Sequence, residues 1–230
     1  MSRLAALTVF FVISVALHGH AQKSRVKTAP DSLRYLALGD SYTVGYLVNP
    51  GENFPNQLVR KLRSGNIAMA SPELIAHNGW NSRELLDGIA AKHPRGPYDL
   101  VTLLIGVNNQ YRGYALPDYE ADVKALLRKA TALAGKNTTH VVMLSIPDWS
   151  LTPFAADKSP KQMALEVGDF NAINKKLAAE AGVTWIDLAD VYAAVSRDPE
   201  MTETDGLHPS AKMYALWVEK IARAVQDFYR

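Results

Sequence analysis

Three side chains in this sequence have the types needed to move an acyl group. They are the hydroxyl of Ser41, in Gly39-Asp40-Ser41, and the carboxylate and imidazole of Asp205 and His208, in Asp205-Gly206-Leu207-His208-Pro209. A serine hydroxyl is a poor nucleophile at neutral pH. It needs a neutral imidazole to take its proton and a carboxylate to hold that ring in the right tautomer. His208 and Asp205 meet that need, the acid lying three positions before the ring. Most of the chain separates them from Ser41, so only a fold can bring the parts together.

The chain carries the elements of such a fold. Apolar runs at Tyr35 to Leu38, Leu74 to Ala76, Leu100 to Ile105, Val141 to Ile146 and Val183 to Ile186 lack polar alternation, which suits parallel strands covered on both faces. Helical stretches lie between them. Tyr119, Val123, Leu126, Leu127, Ala130 and Leu133 recur at three- and four-residue spacing up to Gly135, where a left-handed cap is expected. Ser159-Pro160-Lys161-Gln162 has capping-box spacing with proline in the first turn, and predicts a helix to about Ala181. A last helix follows Pro209-Ser210 and buries Met213, Trp217, Ile221 and Phe228, with Lys212, Glu219, Lys220 and Arg223 facing water.

Strands alternating with helices of these lengths imply right-handed crossovers. The expected fold class is α/β: a three-layer αβα sandwich around a flavodoxin-like, doubly wound, five-stranded parallel sheet, with ligands bound beyond the carboxyl ends of the strands. Ser41 follows the first expected strand, Asn78-Gly79 the second, Gly106-Val107-Asn108-Asn109 the third, and Asp205 with His208 the fifth. Parallel strands put all of these at one edge.

With those residues placed, the chain resembles the SGNH hydrolases, also called the GDSL esterase and lipase family, across the whole domain from residue 33. The resemblance rests on Gly39-Asp40-Ser41-Tyr42-Thr43, Asn78-Gly79-Trp80-Asn81-Ser82, Gly106-Val107-Asn108-Asn109 and Asp205-Gly206-Leu207-His208-Pro209, in family order. It implies a carboxylic ester hydrolase that works through an acyl-enzyme, with Ser41 as nucleophile, His208 as base and Asp205 as its orienting acid. It also implies an oxyanion hole made by the backbone amides of Ser41 and Gly79 and the side-chain amide of Asn108. Family members usually carry Asp after the asparagine of the third block, and this chain has Asn109. An amide can order the loop but supplies no charge.

Other chemistries lack their residues. His77, His93 and His140 have no metal-ligand spacing and the chain has no cysteine, so neither a metal nor any other cofactor is expected. Gly39 to Thr43 lacks the second glycine of the nucleophile elbow, and no phosphate-binding glycine loop is present. A net charge of +2 without a basic run gives no footprint for nucleic acid. Asp40 reads as a helix-start hydrogen-bonding residue, and Asp148 as a turn former. Arg112, with Tyr111 and Tyr114, is a candidate contact for a leaving group, and Leu151, Pro153 and Phe154 could floor an acyl site.

The amino terminus has a separate purpose. Arg3, the apolar run Leu4 to Leu17 and Gly19-His20-Ala21 form a signal-peptide pattern, predicting cleavage after Ala21 and an exported protein without a stable membrane span. The expected organisation is a signal peptide at 1–21, a flexible leader at 22–32 and one hydrolase domain at 33–230. The expected partner is a small-molecule, lipid or carbohydrate ester: a short-chain acyl ester, a lysophospholipid or an acetylated carbohydrate. The competing reading is an exported, catalytically silent carbohydrate- or lipid-binding domain on the same fold.

Overall fold

A computed structural model describes residues 32–195 and 198–229. The expected signal peptide, and all of the leader but Ser32, lie outside these residues.

Five strands, β1 (Tyr35–Gly39), β2 (Glu73–Ala76), β3 (Leu100–Leu104), β4 (Val141–Leu144) and β5 (Thr184–Ile186), form one parallel sheet in the order β2-β1-β3-β4-β5. This is the flavodoxin-like order expected of a doubly wound sheet. The register pairs Leu36 with Val101 and Leu38 with Leu103, then Thr102 with Val142. Every residue of β1, β3 and β4 is buried, as near-continuous apolar strands under helices on both faces must be. Cover on both faces does not extend to the edge strands. Glu73 of β2 is exposed, and Thr184 and Trp185 of β5 are only half-buried, because an edge strand has a neighbour on one side alone.

The helices are α1 (Ser41–Val44), α2 (Phe54–Ser64), α3 (Ser82–Lys92), α4 (Val107–Tyr111), α5 (Leu116–Leu133), α6 (Pro160–Ala181), α7 (Ala189–Val195) and α8 (Ala211–Val225). Helix α2 packs on α8 in one layer; α3, α5 and α6 pack side by side in the other. Local chemistry sets their starts. Asn53 accepts the Asn56 amide at 3.0 Å to cap α2, and Asn81 and Glu84 form a reciprocal capping box on α3. Helix α5 ends at Leu133, with Gly135 in the left-handed conformation. Helix α6 has the expected bounds but not the expected box. Ser159 sits at ψ 73°, outside the extended region a cap needs, and Gln162 instead donates to Glu166 at 2.9 Å. In α8, Met213, Trp217 and Ile221 are buried, while Phe228 lies past the helix end in a short 3-10 turn and is half-buried.

Candidate active site

The carboxyl edge of the sheet collects the candidate side chains, and β1 delivers the first. Asp40 follows β1 and caps α1, its Oδ1 accepting the Tyr42 N–H at 3.0 Å. Ser41, the first residue of α1, is 6% exposed. The Tyr214 hydroxyl of α8 donates to the Tyr42 carbonyl at 2.9 Å, and Trp217 stacks on the Tyr42 ring, so α1 is held from the adjoining layer. Asp40 has the helix-start role expected of it, yet it is fully buried and its Oδ2 has no hydrogen-bond partner. Burial pushes this carboxyl up to about 7, against the smaller downward pull of the Tyr42 amide and the Asn108 side chain.

The turn after β5 and α7 brings the other two groups. His208 Nε2 lies 2.9 Å from Ser41 Oγ, and His208 Nδ1 lies 2.5 Å from Asp205 Oδ2. Asp205 Oδ1 accepts the amides of Leu207 and His208 at 2.9 and 3.0 Å, which fixes the carboxylate against its own turn. That tight turn puts Gly206 at φ +67°, a region disfavoured for residues with a Cβ. Burial alone would raise the Asp205 carboxyl. The hydrogen bonds from His208 and the two amides outweigh it and hold the group below the ordinary carboxylate range. An ionised Asp205 only accepts, so Nδ1 carries the ring proton and Nε2 is free to accept from the Ser41 hydroxyl. Tyr42 and Tyr46 pack on the imidazole, with centroids 5.1 and 5.0 Å away.

The loops after β2 and β3 face this line of groups. Gly79 sits at φ +80°, in the loop between β2 and α3. Asn108, half-buried in α4, donates its Nδ2 to the Trp80 carbonyl at 3.0 Å, which ties the two loops together. Among the described residues, no acceptor takes the amide N–H of Ser41 or of Gly79. Asn109, directly behind Asn108, is fully buried. Its Oδ1 accepts the Ser82 amide at 2.9 Å and its Nδ2 donates to Ser82 Oγ at 2.8 Å. Ser82 Oγ donates in turn to Asp122 at 2.9 Å, and Arg83 pairs with Asp122.

A cleft of about 250 Å³ opens over Ser41 and His208, with Gly79 and Asn108 on one side. Its remaining walls are mainly apolar and aromatic: Tyr46, Val107, Tyr111, Trp149, Phe154 and Leu207. Trp149 is anchored by donating Nε1 to Gln110 at 2.7 Å, and Gln110 donates to Glu166 at 2.8 Å.

Ser41, Asp205, His208, Gly79 and Asn108 are therefore gathered at one place; of the expected acyl floor, Phe154 lines the cleft, whereas Leu151 and Pro153 are not among its lining residues. Asp148 caps a 3-10 turn, accepting the Ser150 amide at 3.1 Å. Arg112, the candidate leaving-group contact, donates to the Gly79 carbonyl at 2.6 Å and to Glu84 at 3.2 Å. Tyr46, Val107, Trp149 and Leu207 were not singled out by sequence as cleft residues. Their only signal was position just past α1, β3 and β4 or within the final turn, beside the candidate groups. Among the described residues, no cluster of three or more His, Asp or Glu side chains suited to a metal ion occurs, and no helix is long and apolar enough to cross a membrane.

A sequence model of the GDSL-like Lipase/Acylhydrolase family matches residues 37–216. Solved structures with the same fold include the psychrotrophic esterase EstA from Pseudoalteromonas sp., with a TM-score of 0.66 and 16% identity over 85% of this chain and 97% of that one. The lipase/acylhydrolase from Enterococcus faecalis has a TM-score of 0.65 and 17% identity over 85% and 96%. Axe2, an acetyl xylan esterase from Geobacillus stearothermophilus, has a TM-score of 0.62 and 18% identity over 84% and 94%. No curated relative matches the sequence.

Proposed function

The chain belongs to the GDSL-like lipase/acylhydrolase family and is a carboxylic ester hydrolase, and we propose that it cleaves esters with short acyl chains through a Ser41-His208-Asp205 relay. The observation that carries this reading is the continuous line from Ser41 Oγ to His208 Nε2 at 2.9 Å and from Nδ1 to Asp205 at 2.5 Å. Ser41 Oγ attacks the acyl carbon while His208 Nε2 takes its proton. The carbonyl oxygen becomes negative and is met by the amides of Ser41 and Gly79 and by Asn108 Nδ2. Collapse of this intermediate expels the alcohol, which takes the proton back from His208. Water, deprotonated by the same ring, then releases the acid from Ser41. Asp205 stays ionised and stabilises the imidazolium.

The cleft supports the chain-length part of the reading. At about 250 Å³ it lies below the 300 to 1,000 Å³ common for drug-sized ligands, and Phe154, Trp149 and Leu207 bound it with apolar surface. An acetyl to butyryl group suits that space better than a long acyl chain. Tyr111 lines the cleft and is exposed, so an alcohol arm placed beside it has room to be a sugar or a lipid headgroup.

The test is hydrolysis of p-nitrophenyl acetate, butyrate and octanoate by the purified protein, with Ser41→Ala as control. Turnover of the shorter esters that is lost in Ser41→Ala is expected. Equal rates for the two proteins would favour the silent binding domain instead. Export is proposed from the charged and apolar pattern of residues 1–21. Amino-terminal sequencing of protein recovered outside the cytoplasm should begin at Gln22, and an uncleaved cytoplasmic product would overturn it.

A further inference from the structure

Arg112 is the terminal residue of the turn that holds Asn108. Its own amide donates to the Asn108 carbonyl at 3.2 Å, so its backbone belongs to the β3 side of the site. Its side chain crosses to the β2 side. One guanidinium nitrogen donates to the Gly79 carbonyl at 2.6 Å and another to Glu84 Oε2 at 3.2 Å. Glu84 Oε2 also accepts the Asn81 amide at 2.8 Å, so the far anchor of the guanidinium is the start of α3. The next carbonyl in the loop, that of Trp80, is taken by Asn108. Two successive peptide groups of the β2 loop are thus pinned by two residues of the β3 loop.

A turn closed by the Trp80 amide on the His77 carbonyl at 3.2 Å also holds Gly79. It sits at φ +80°, and a Cβ built there would meet only the Arg112 guanidinium within 4 Å, chain neighbours aside. Without the guanidinium, the carbonyl of Gly79 loses its side-chain donor. Rotation about Gly79, whose own N–H lies one peptide group before that carbonyl, is then less restrained. A charged donor with a planar fork suits the task, because it meets a carbonyl and a carboxylate at once.

We infer that Arg112 is a positioning residue of the oxyanion hole: by bridging the Gly79 carbonyl and Glu84, it holds the Gly79 amide where the negative oxygen forms. This rests on the reading of Ser41 as nucleophile. It assigns Arg112 to the transition state and not to substrate binding. The side chain is 40% exposed and its partner Glu84 42%, so the ion pair adds little to global stability.

The experiment compares wild type, Arg112→Met, Arg112→Lys and Glu84→Gln with p-nitrophenyl acetate, reading kcat and KM separately. Inhibition by phenylboronic acid, which forms a tetrahedral adduct on a serine, and thermal unfolding are followed in parallel. Arg112→Met should lower kcat by about 10- to 100-fold, somewhat less than outright loss of an oxyanion donor, with KM within about twofold. The boronic acid should weaken by a similar factor. Arg112→Lys should fall between, since one ammonium cannot serve both acceptors. Glu84→Gln retains the capping box and should lower kcat several-fold in the same direction, which keeps the test open if Arg112→Met does not fold. A kcat within about twofold of wild type in the Arg112 variants would overturn the inference. So would a rise in KM with kcat unchanged, or one confined to esters with an anionic leaving group. Ser41→Ala in the same assay separates the two failures: wild-type turnover that survives this change sinks the nucleophile assignment itself.

Discussion

The amide N–H of Phe154 donates to the carbonyl of Gly206 at 3.0 Å, so the aromatic wall of the cleft and the turn carrying Asp205 and His208 form one hydrogen-bonded unit. The bond is made by backbone, so the Phe154 side chain can be removed without breaking it. Phe154→Ala should therefore enlarge the acyl site and leave the relay in place. The octanoate-to-acetate ratio of kcat/KM is expected to rise on the order of tenfold, the scale at which a few methylenes are accepted or refused by an apolar pocket. An unchanged ratio would move the acyl chain to another wall. Gly206→Ala should behave differently, because φ +67° and a Cβ 3.2 Å from Pro153 strain the turn itself. It should slow acetate and octanoate alike.

Asp205→Asn tests the relay. The variant can still hydrogen-bond to the ring, but an amide can donate to Nδ1 and so favour the wrong tautomer, leaving no free acceptor for the Ser41 proton. A loss of about 10⁴ in kcat is expected. In the native protein Asp205 is held below the ordinary carboxylate range, so it remains charged wherever an imidazole titrates. Turnover should fall toward acid because only a neutral imidazole can take the Ser41 proton, and kcat/KM against pH measures it. The same depressed carboxyl adds stability above the unfolded carboxylate range, and that part is lost as pH falls through the folded value. A rate that stayed flat into the carboxylate range would remove His208 as the base.

Sheet and site were legible in the sequence for the same reason. Parallel strands of a doubly wound fold put every strand end on one edge, so Ser41, Gly79, Asn108 and the Asp205-His208 pair could be grouped from strand order alone. What was not legible depends on side chains crossing between loops. Arg112 reads as a candidate leaving-group contact in a string of residues, yet its guanidinium reaches Glu84 and Gly79, the latter a contact spanning 33 positions. Trp149 reads as a residue after a Pro-Asp turn, and only the folded chain, where Gln110 anchors its Nε1, shows that it lines the cleft. The capping box expected at Ser159 is absent: the Ser159 side chain makes no cap hydrogen bond, and Gln162 donates instead to Glu166, one turn on.

Asn109 is fitted to its surroundings by its amide. Ser82 Oγ gives its single proton to Asp122 and receives one from Asn109 Nδ2. An aspartate at 109 has no proton to give when ionised, and it would bring a second carboxylate to a buried hydroxyl already committed to the first. One carboxyl must then be raised or one bond lost. Asn109→Asp should destabilise the fold by roughly 1 to 3 kcal/mol, with the penalty growing as pH rises and the new carboxyl is asked to ionise. Adding Asp122→Asn should recover part of it, since it removes one of the two carboxylates from the Ser82 hydroxyl. Denaturant unfolding of the two single variants and the double variant completes the cycle. Strictly additive effects would show that positions 109 and 122 do not communicate through Ser82.

Asp40 gives a prediction with the opposite pH sign to that of Asp205. The unfolded carboxyl ionises near the usual aspartate value of about 4, whereas burial raises the folded one to about 7. Between those values the folded chain keeps a proton that the unfolded chain has released, so this group lowers stability as pH rises from about 4 to 7 and changes nothing further above that. Asn at this position can still accept the Tyr42 amide and cap α1, but it has no charge to bury. Asp40→Asn should gain on the native protein by a few kcal/mol across that window. Urea unfolding of both proteins at pH 5 and pH 8 measures it, the advantage of the asparagine variant being larger at pH 8. If instead the two unfolding curves shifted together with pH, the Asp40 carboxyl would have to ionise in the folded state as readily as in the unfolded chain, despite its burial and its unpartnered Oδ2.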